Sequence, residues 1–146
     1  MRTARLRLFA VLLLLLATAV SGFAQQALID SLRGVLKKEK DPEKRIELYE
    51  EVAKEAKELD LEKAVFYADT LEKMAAQANS QRGKAKAINF RGHILKDKGD
   101  MEGAKRLFMQ DLDLRIQIKD QKGTAKAYND IGACYAELYK PDSTIF

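Results

Sequence analysis

The sequence predicts an all-α protein made of antiparallel helix hairpins stacked one on the next. Three observations carry that prediction: a repeat at a shift of forty, apolar residues at three- and four-residue steps, and no stretch alternating apolar with polar as a half-buried strand would. Residues 81–92 read QRGKAKAINFRG and residues 121–132 read QKGTAKAYNDIG. They agree at seven of twelve positions, where average composition gives about one. The same shift sets Asp60-Leu61-Glu62-Lys63-Ala64 on Asp100-Met101-Glu102-Gly103-Ala104, with three of five identical. A period of that size marks a stacked array of supersecondary units.

The segment 1–24 reads as an address rather than as part of the array. Arg2, Arg5 and Arg7 form a basic start, and Leu8 to Val20 follow as thirteen residues with only Thr18 polar. Gly22 and Ala24 then place small residues at −3 and −1 of a cut before Gln25, the layout of a secretory signal peptide. Thirteen residues rise about 20 Å as a helix, short of the roughly 30 Å hydrocarbon core. The expectation is a periplasmic or secreted protein, cleaved near Ala24/Gln25. Removing 24 of 146 residues leaves 122.

The elements of the mature chain follow in order. Residues 25–40 hold a short amphipathic helix over 27–38, through Leu28, Leu32, Val35 and Leu36. The array occupies 41–146. Asp41-Pro42 opens a helix, because Asp caps free N–H groups and Pro at the first position loses no bond. Leu48, Val52, Ala56 and Leu59 form its stripe. Asp60 caps the next helix, with Ala64, Ala68, Leu71 and Ala75 inward. Over residues 84–98, Ala85, Ile88, Gly92 and Leu95 form a helical stripe; Gly99 ends it and Asp100 caps the next. Met101, Ala104, Leu107/Phe108 and Leu112 continue, and Asp120 to Gly123 link to the following unit. Ala64 and Ala104 recur four residues after a capping Asp, and Gly92 and Gly132 recur in mid-helix. Such small residues are expected to be packing points, since a glycine there costs about 1 kcal/mol of helix propensity without one.

Composition excludes several classes. One Cys rules out an internal disulfide framework and a Cys-based zinc site. The net charge of +4 includes three arginines of the acid-free segment 1–24. The remainder holds 23 Lys+Arg against 22 Asp+Glu, which offers no electrostatic case for nucleic acid. No Gly-rich phosphate loop is present, since the segments around Gly83 and Gly123 lack the required further glycines. His93 and Cys134 are the sole His and Cys, and they lie one position off the repeat register. The offset sets them on different faces of their units, with Cys134 toward the packed side, so no nucleophile–base pair is expected. His93 has no second metal ligand at suitable spacing, and the acids are scattered near lysines. We therefore expect no enzyme, no cofactor and no metal.

A small residue in the first helix, Gly-Asp at the turn and Ala early in the second helix together resemble the tetratricopeptide repeat family. Ala125, Ala127, Tyr128, Asn129, Ile131, Gly132 and Tyr135 are similar to that family's first helix, and residues 85–120 match at Ala85, Ile88, Asn89, Gly92, Leu95, Gly99-Asp100, Ala104 and Phe108. They depart at Arg91, where the pattern prefers an apolar residue, and at Asp111, where it prefers a small one. Residues 41–80 are a degenerate unit with Val52 at the glycine position, 81–120 a full one and 121–146 an incomplete one. The spacing near 40 resembles the family's long-repeat branch. The resemblance implies a right-handed α-solenoid whose first helices line a concave groove that holds a peptide or helix of a protein partner.

Within that groove the expected ligand residues are Asn89 and Asn129, one repeat apart, with Lys86, Lys126 and His93 on the same face. A primary amide both donates and accepts, so it can satisfy a peptide backbone, and the lysines can select an acidic segment or a C-terminal carboxylate. Replacing both asparagines by alanine is expected to leave stability nearly intact. Tyr49 is the one aromatic expected in the groove of the first unit. The leader, the short helix and the repeats also resemble the exported N-terminal region of bacterial sensor proteins, in which a membrane span and a histidine kinase or DNA-binding domain follow. Pro141 to Phe146 would open a second helix with Thr144 at the place of Ala64 and Ala104, and Ile145-Phe146 is not a polar cap. The expectation is thus a fragment, with a membrane entering only through a span beyond residue 146.

Overall fold

The computed structural model describes residues 22–140. The leader residues 1–21 and the segment Pro141 to Phe146 lie outside the described residues. Six helices follow one another: α1 (22–38), α2 (Pro42–Leu59), α3 (Leu61–Gln77), α4 (Gln81–Asp97), α5 (Met101–Gln117) and α6 (Gln121–Leu138). No strand occurs among the described residues. Each helix from α2 onward packs on the next across a link of one to three residues, which returns the chain antiparallel, and α2 also touches α4. No described helix is long and apolar enough to cross a membrane.

The links recur at half the expected period. From α3 onward the helices begin at 61, 81, 101 and 121, and their caps are Asp60, Ser80, Asp100 and Asp120. Ser80, Asp100 and Asp120 each accept a bond from the backbone N–H of the glycine three residues on, at 2.8, 2.8 and 3.0 Å. The same three residues donate their own N–H groups to the carbonyls of Ala75, Leu95 and Arg115, closing the preceding helices. Asn79, Gly99 and Lys119 take the left-handed conformation between cap and stop. One three-residue device thus ends one helix and starts the next, and it serves α4, α5 and α6 alike. Between α2 and α3, Asp60 performs both tasks alone, donating to Ala56 and accepting from Glu62 and Lys63.

Two apolar clusters hold the hairpins. The larger joins Ile29 of α1, Ile46, Val52, Ala53 and Ala56 of α2, Ala64, Tyr67, Ala68, Leu71 and Ala75 of α3, and Ala87, Phe90 and Ile94 of α4. The smaller joins Ala104 and Phe108 of α5 with Cys134 of α6, and Leu95 and Ile131 pack against it. Ala64 and Ala104, expected at packing points, are fully buried. Gly92 sits against α5: a Cβ there would come 2.5 Å from a ring carbon of Phe108. Gly132 does not share that role, since a Cβ there meets nothing within 4 Å among the described residues. The ring that fills the space beside Gly92 belongs to the helix after α4, and no described helix follows α6 to supply its counterpart.

Three stripe assignments change. On α1 the inward residue is Ile29, while Leu28 and Val35 are exposed. Leu32, of the expected stripe, does pack on the core. Polar bonds fix this rotation: Gln25 donates to Glu55 of α2, and the Arg33 guanidinium donates to the Tyr67 hydroxyl of α3. On α2, Leu59 is exposed because the one-residue link turns the chain before it reaches the core. Tyr49 faces α3 rather than a groove, with its ring centroid 5.8 Å from that of Tyr67.

Candidate functional site

α2, α4 and α6 are the first helices of successive hairpins, and polar side chains tie them to one another along one face. Lys86 of α4 pairs with Glu50 of α2, and Lys54 on the next turn of α2 holds the other carboxylate oxygen at 2.6 Å. Burial works to raise the pKa of Glu50, but the bonds from Lys54 and Lys86 outweigh it, and the carboxyl lies below its usual range. Further along, Lys57 of α2 pairs with Asp97 of α4.

The α4–α6 contact is centred on Asn89. Its amide donates to Asp111 of α5 at 3.1 Å and to Asp130 of α6 at 2.9 Å, and its oxygen accepts from Lys126 of α6 at 2.6 Å. Only 2% of Asn89 is exposed. The amide expected to reach into a groove is therefore spent on bracing three helices. It lies where α5 and α6 converge on α4, and a buried amide must find its partners there. Asp130 also faces His93, with Nε2 at 3.5 Å, and the imidazole stands edge-on to Phe108 at 5.0 Å. Burial would raise the Asp130 carboxyl, yet the bonds from His93 and Asn89 prevail and hold it low.

Asp111, where a small residue was expected, is fully buried and bonded to the Arg115 guanidinium at 2.7 Å. Arg115 continues to Asp120, the cap of α6, at 2.6 Å. Burial pushes the Asp111 carboxyl up despite Arg115 and Asn89. The other departure, Arg91, reaches out of the hairpin to Asp69 and Glu72 of α3 at 2.8 and 2.6 Å. Asp111 was noted only as a departure from the repeat pattern, and Arg115, Asp130, Glu50 and Lys54 were not expected in a site. The i,i+4 spacing of Asp111 and Arg115, with the acid at a small-residue position, is the signal that would have found the first two.

The five expected ligand residues therefore divide. Lys86, Asn89, Lys126 and His93 are brought into one polar cluster. Asn129 is exposed, about one turn along α6 from Lys126. Lys126 keeps much of its stem exposed while its ammonium leans on Asn89, and burial of that end lowers its pKa. The cluster can donate and accept hydrogen bonds and offers ammonium groups. Cys134 is buried, and burial raises its thiol, away from a reactive thiolate. No group of three or more His, Cys, Asp or Glu side chains suited to a metal occurs among the described residues. No protein-family model matches the chain, and no curated protein sequence matches it.

Proposed function

We propose that this chain is a protein-interaction scaffold of the tetratricopeptide type, exported and used to hold a peptide or helix of a partner along the face shared by α2, α4 and α6. The observation that carries the reading is that first helices of successive hairpins present donors side by side: Lys54 and Lys86, then Lys126 and Asn129. The array is read as a right-handed solenoid with this face concave. The free polar group is Asn129 rather than Asn89, whose hydrogen-bonding capacity is taken up inside, in part by the Lys126 ammonium. Such a face suits an extended segment with exposed backbone and acidic side chains.

The test is site-specific photo-crosslinking in cells that express the chain. A crosslinker at Asn129 is expected to capture a defined partner peptide, and one at Phe66 of α3 is not. Asn129→Ala should weaken that capture while the melting temperature stays within a few degrees. Capture at Phe66 but not at Asn129 would overturn the reading.

A second reading is favoured by the outer side of α6, which no described helix covers and where Tyr128, Gly132 and Tyr135 are exposed. In it, the array is the sensory input of a larger membrane kinase or regulator and a further helix covers α6. Sequencing the gene past codon 146 separates the two: a membrane span with an output domain supports the sensor, and a stop supports the scaffold.

A further inference from the structure

Resting on that reading of the groove, we propose that Glu50 is a built-in competitor: its carboxylate occupies the place that a partner's acidic side chain takes on Lys86. Glu50 is buried, yet it projects from the face that would receive the ligand, between two ammonium groups that belong to different helices. Its two oxygens are divided: Oε1 faces Lys54 of its own helix, and Oε2 faces Lys86 of α4. Lys126 of α6 lies close enough for Lys54 to repel it and Glu50 to attract it. Three first helices thus bring their lysines around one carboxylate of the chain itself.

The geometry makes exchange feasible. An incoming carboxylate needs only the Lys86 side, because the Glu50–Lys54 pair is an i,i+4 contact on α2 that persists when Lys86 is taken. The Lys54 side chain is half exposed, so Glu50 can follow it toward solvent without being stranded as a buried charge. An ammonium already holding a carboxylate gains little from a single weak acid. It discriminates for ligands that offer several carboxylates at once and can engage Lys86 and Lys126 together. Glu50 therefore sets a threshold of ligand charge and does not block the face outright.

The test is fluorescence anisotropy with a dye-labelled hexaglutamate and the full chain at low salt, comparing wild type with Glu50→Gln. The variant keeps the shape of the side chain and removes its charge. It is expected to bind the probe about tenfold more tightly or better, and the gain should shrink as salt rises. Equal or weaker binding by the variant, with the wild type binding, overturns the competitor and leaves the groove reading standing. Absence of binding by both up to millimolar probe overturns both. Should Glu50→Gln fail to fold, the wild-type chain still reads the exchange by NMR. Hexaglutamate is expected to shift the Lys86 Nζ and the Glu50 carboxyl resonances together. A Lys86 shift with the Glu50 resonance unmoved overturns the proposal.

Discussion

Ala85, Asn89 and Gly92 are buried in α4, whereas Ala125, Asn129 and Gly132, one repeat on, are exposed in α6. The two helices share most of their sequence over these turns, so the difference is not one of propensity. α4 has two covered faces. One, through Gly83, Ala87, Phe90 and Ile94, looks back to α2 and α3; the other, through Ala85, Asn89 and Gly92, is covered by α5 and α6. α6 buries only the first, through Gly123, Ala127 and Cys134. The same residue types are therefore packing residues in one helix and surface residues in the other. A repeat motif specifies a face, and the neighbour decides whether that face carries energy.

Substitutions at the paired glycines should separate α4 from α6 most widely. Gly92→Leu must drive a side chain into Phe108 and is expected to cost about 3 kcal/mol or more. Gly132→Leu meets open space and should stay within about 0.5 kcal/mol, or gain from better helix propensity. Urea unfolding by circular dichroism reads both. Equal losses would mean that α6 is covered as α4 is.

The asparagines make the next largest contrast. Asn89→Ala leaves Asp111, Lys126 and Asp130 each short of a partner and is expected to cost about 1–3 kcal/mol. Asn129→Ala should change stability by no more than about 0.5 kcal/mol. The two substitutions, expected from the sequence to be equally mild, are thus predicted to differ. A stable Asn89→Ala variant would show that the α4–α6 bridge does not contribute to stability.

Acid should loosen the joints between first helices. Glu50, Asp120 and Asp130 have folded pKa values below their ordinary 4.5, 3.8 and 3.8. Their contribution is complete above those values and is lost as pH falls through the lower folded ones. Asp111 is shifted the other way, so it favours the fold as pH falls and opposes the trend. Glu39 and Asp60, exposed and likewise held low, act in the same direction, so five groups against one predict a net fall in the urea midpoint below about pH 4, and Asp130→Asn should flatten it. A midpoint that rises in acid would place Asp111 in control.

The smallest expected effect concerns the links. Lys119 holds a positive φ of 58° where the equivalent position before α5 is Gly99, with φ 85°. Lys119→Gly should stabilise by up to about 1 kcal/mol, because a side chain in that conformation is strained. A loss instead would mean that the added freedom of the unfolded chain outweighs the relief.

Much of the helix order was legible in the sequence because caps and stops are local. Asp41-Pro42, Asp60, Gly99-Asp100 and Asp120 mark boundaries through bonds made within three or four residues. The recurrence at half the repeat was less legible, because Ser80 and Asn79 do for α3 and α4 what Gly99-Asp100 do later with different letters. The candidate site was readable only by face. Lys86, Asn89, Lys126 and His93 do lie together, but their partners Glu50, Asp111 and Asp130 come from 22 to 41 residues away, and no spacing in the sequence joins the two sides.

What the sequence determined by itself is the all-helical chain, its turns and the inward stripe of most helices, since hydrogen bonds to the next turn and apolar periodicity need no distant partner. Which polar groups remain free is set by packing between helices. Asn89 and Asn129 are the same residue at the same place in the repeat. Burial beside two carboxylates and an ammonium turns the first into a brace, and the absence of a described neighbour leaves the second exposed to solvent. A buried amide must be satisfied where it lies, and that demand is set by whatever packs against it.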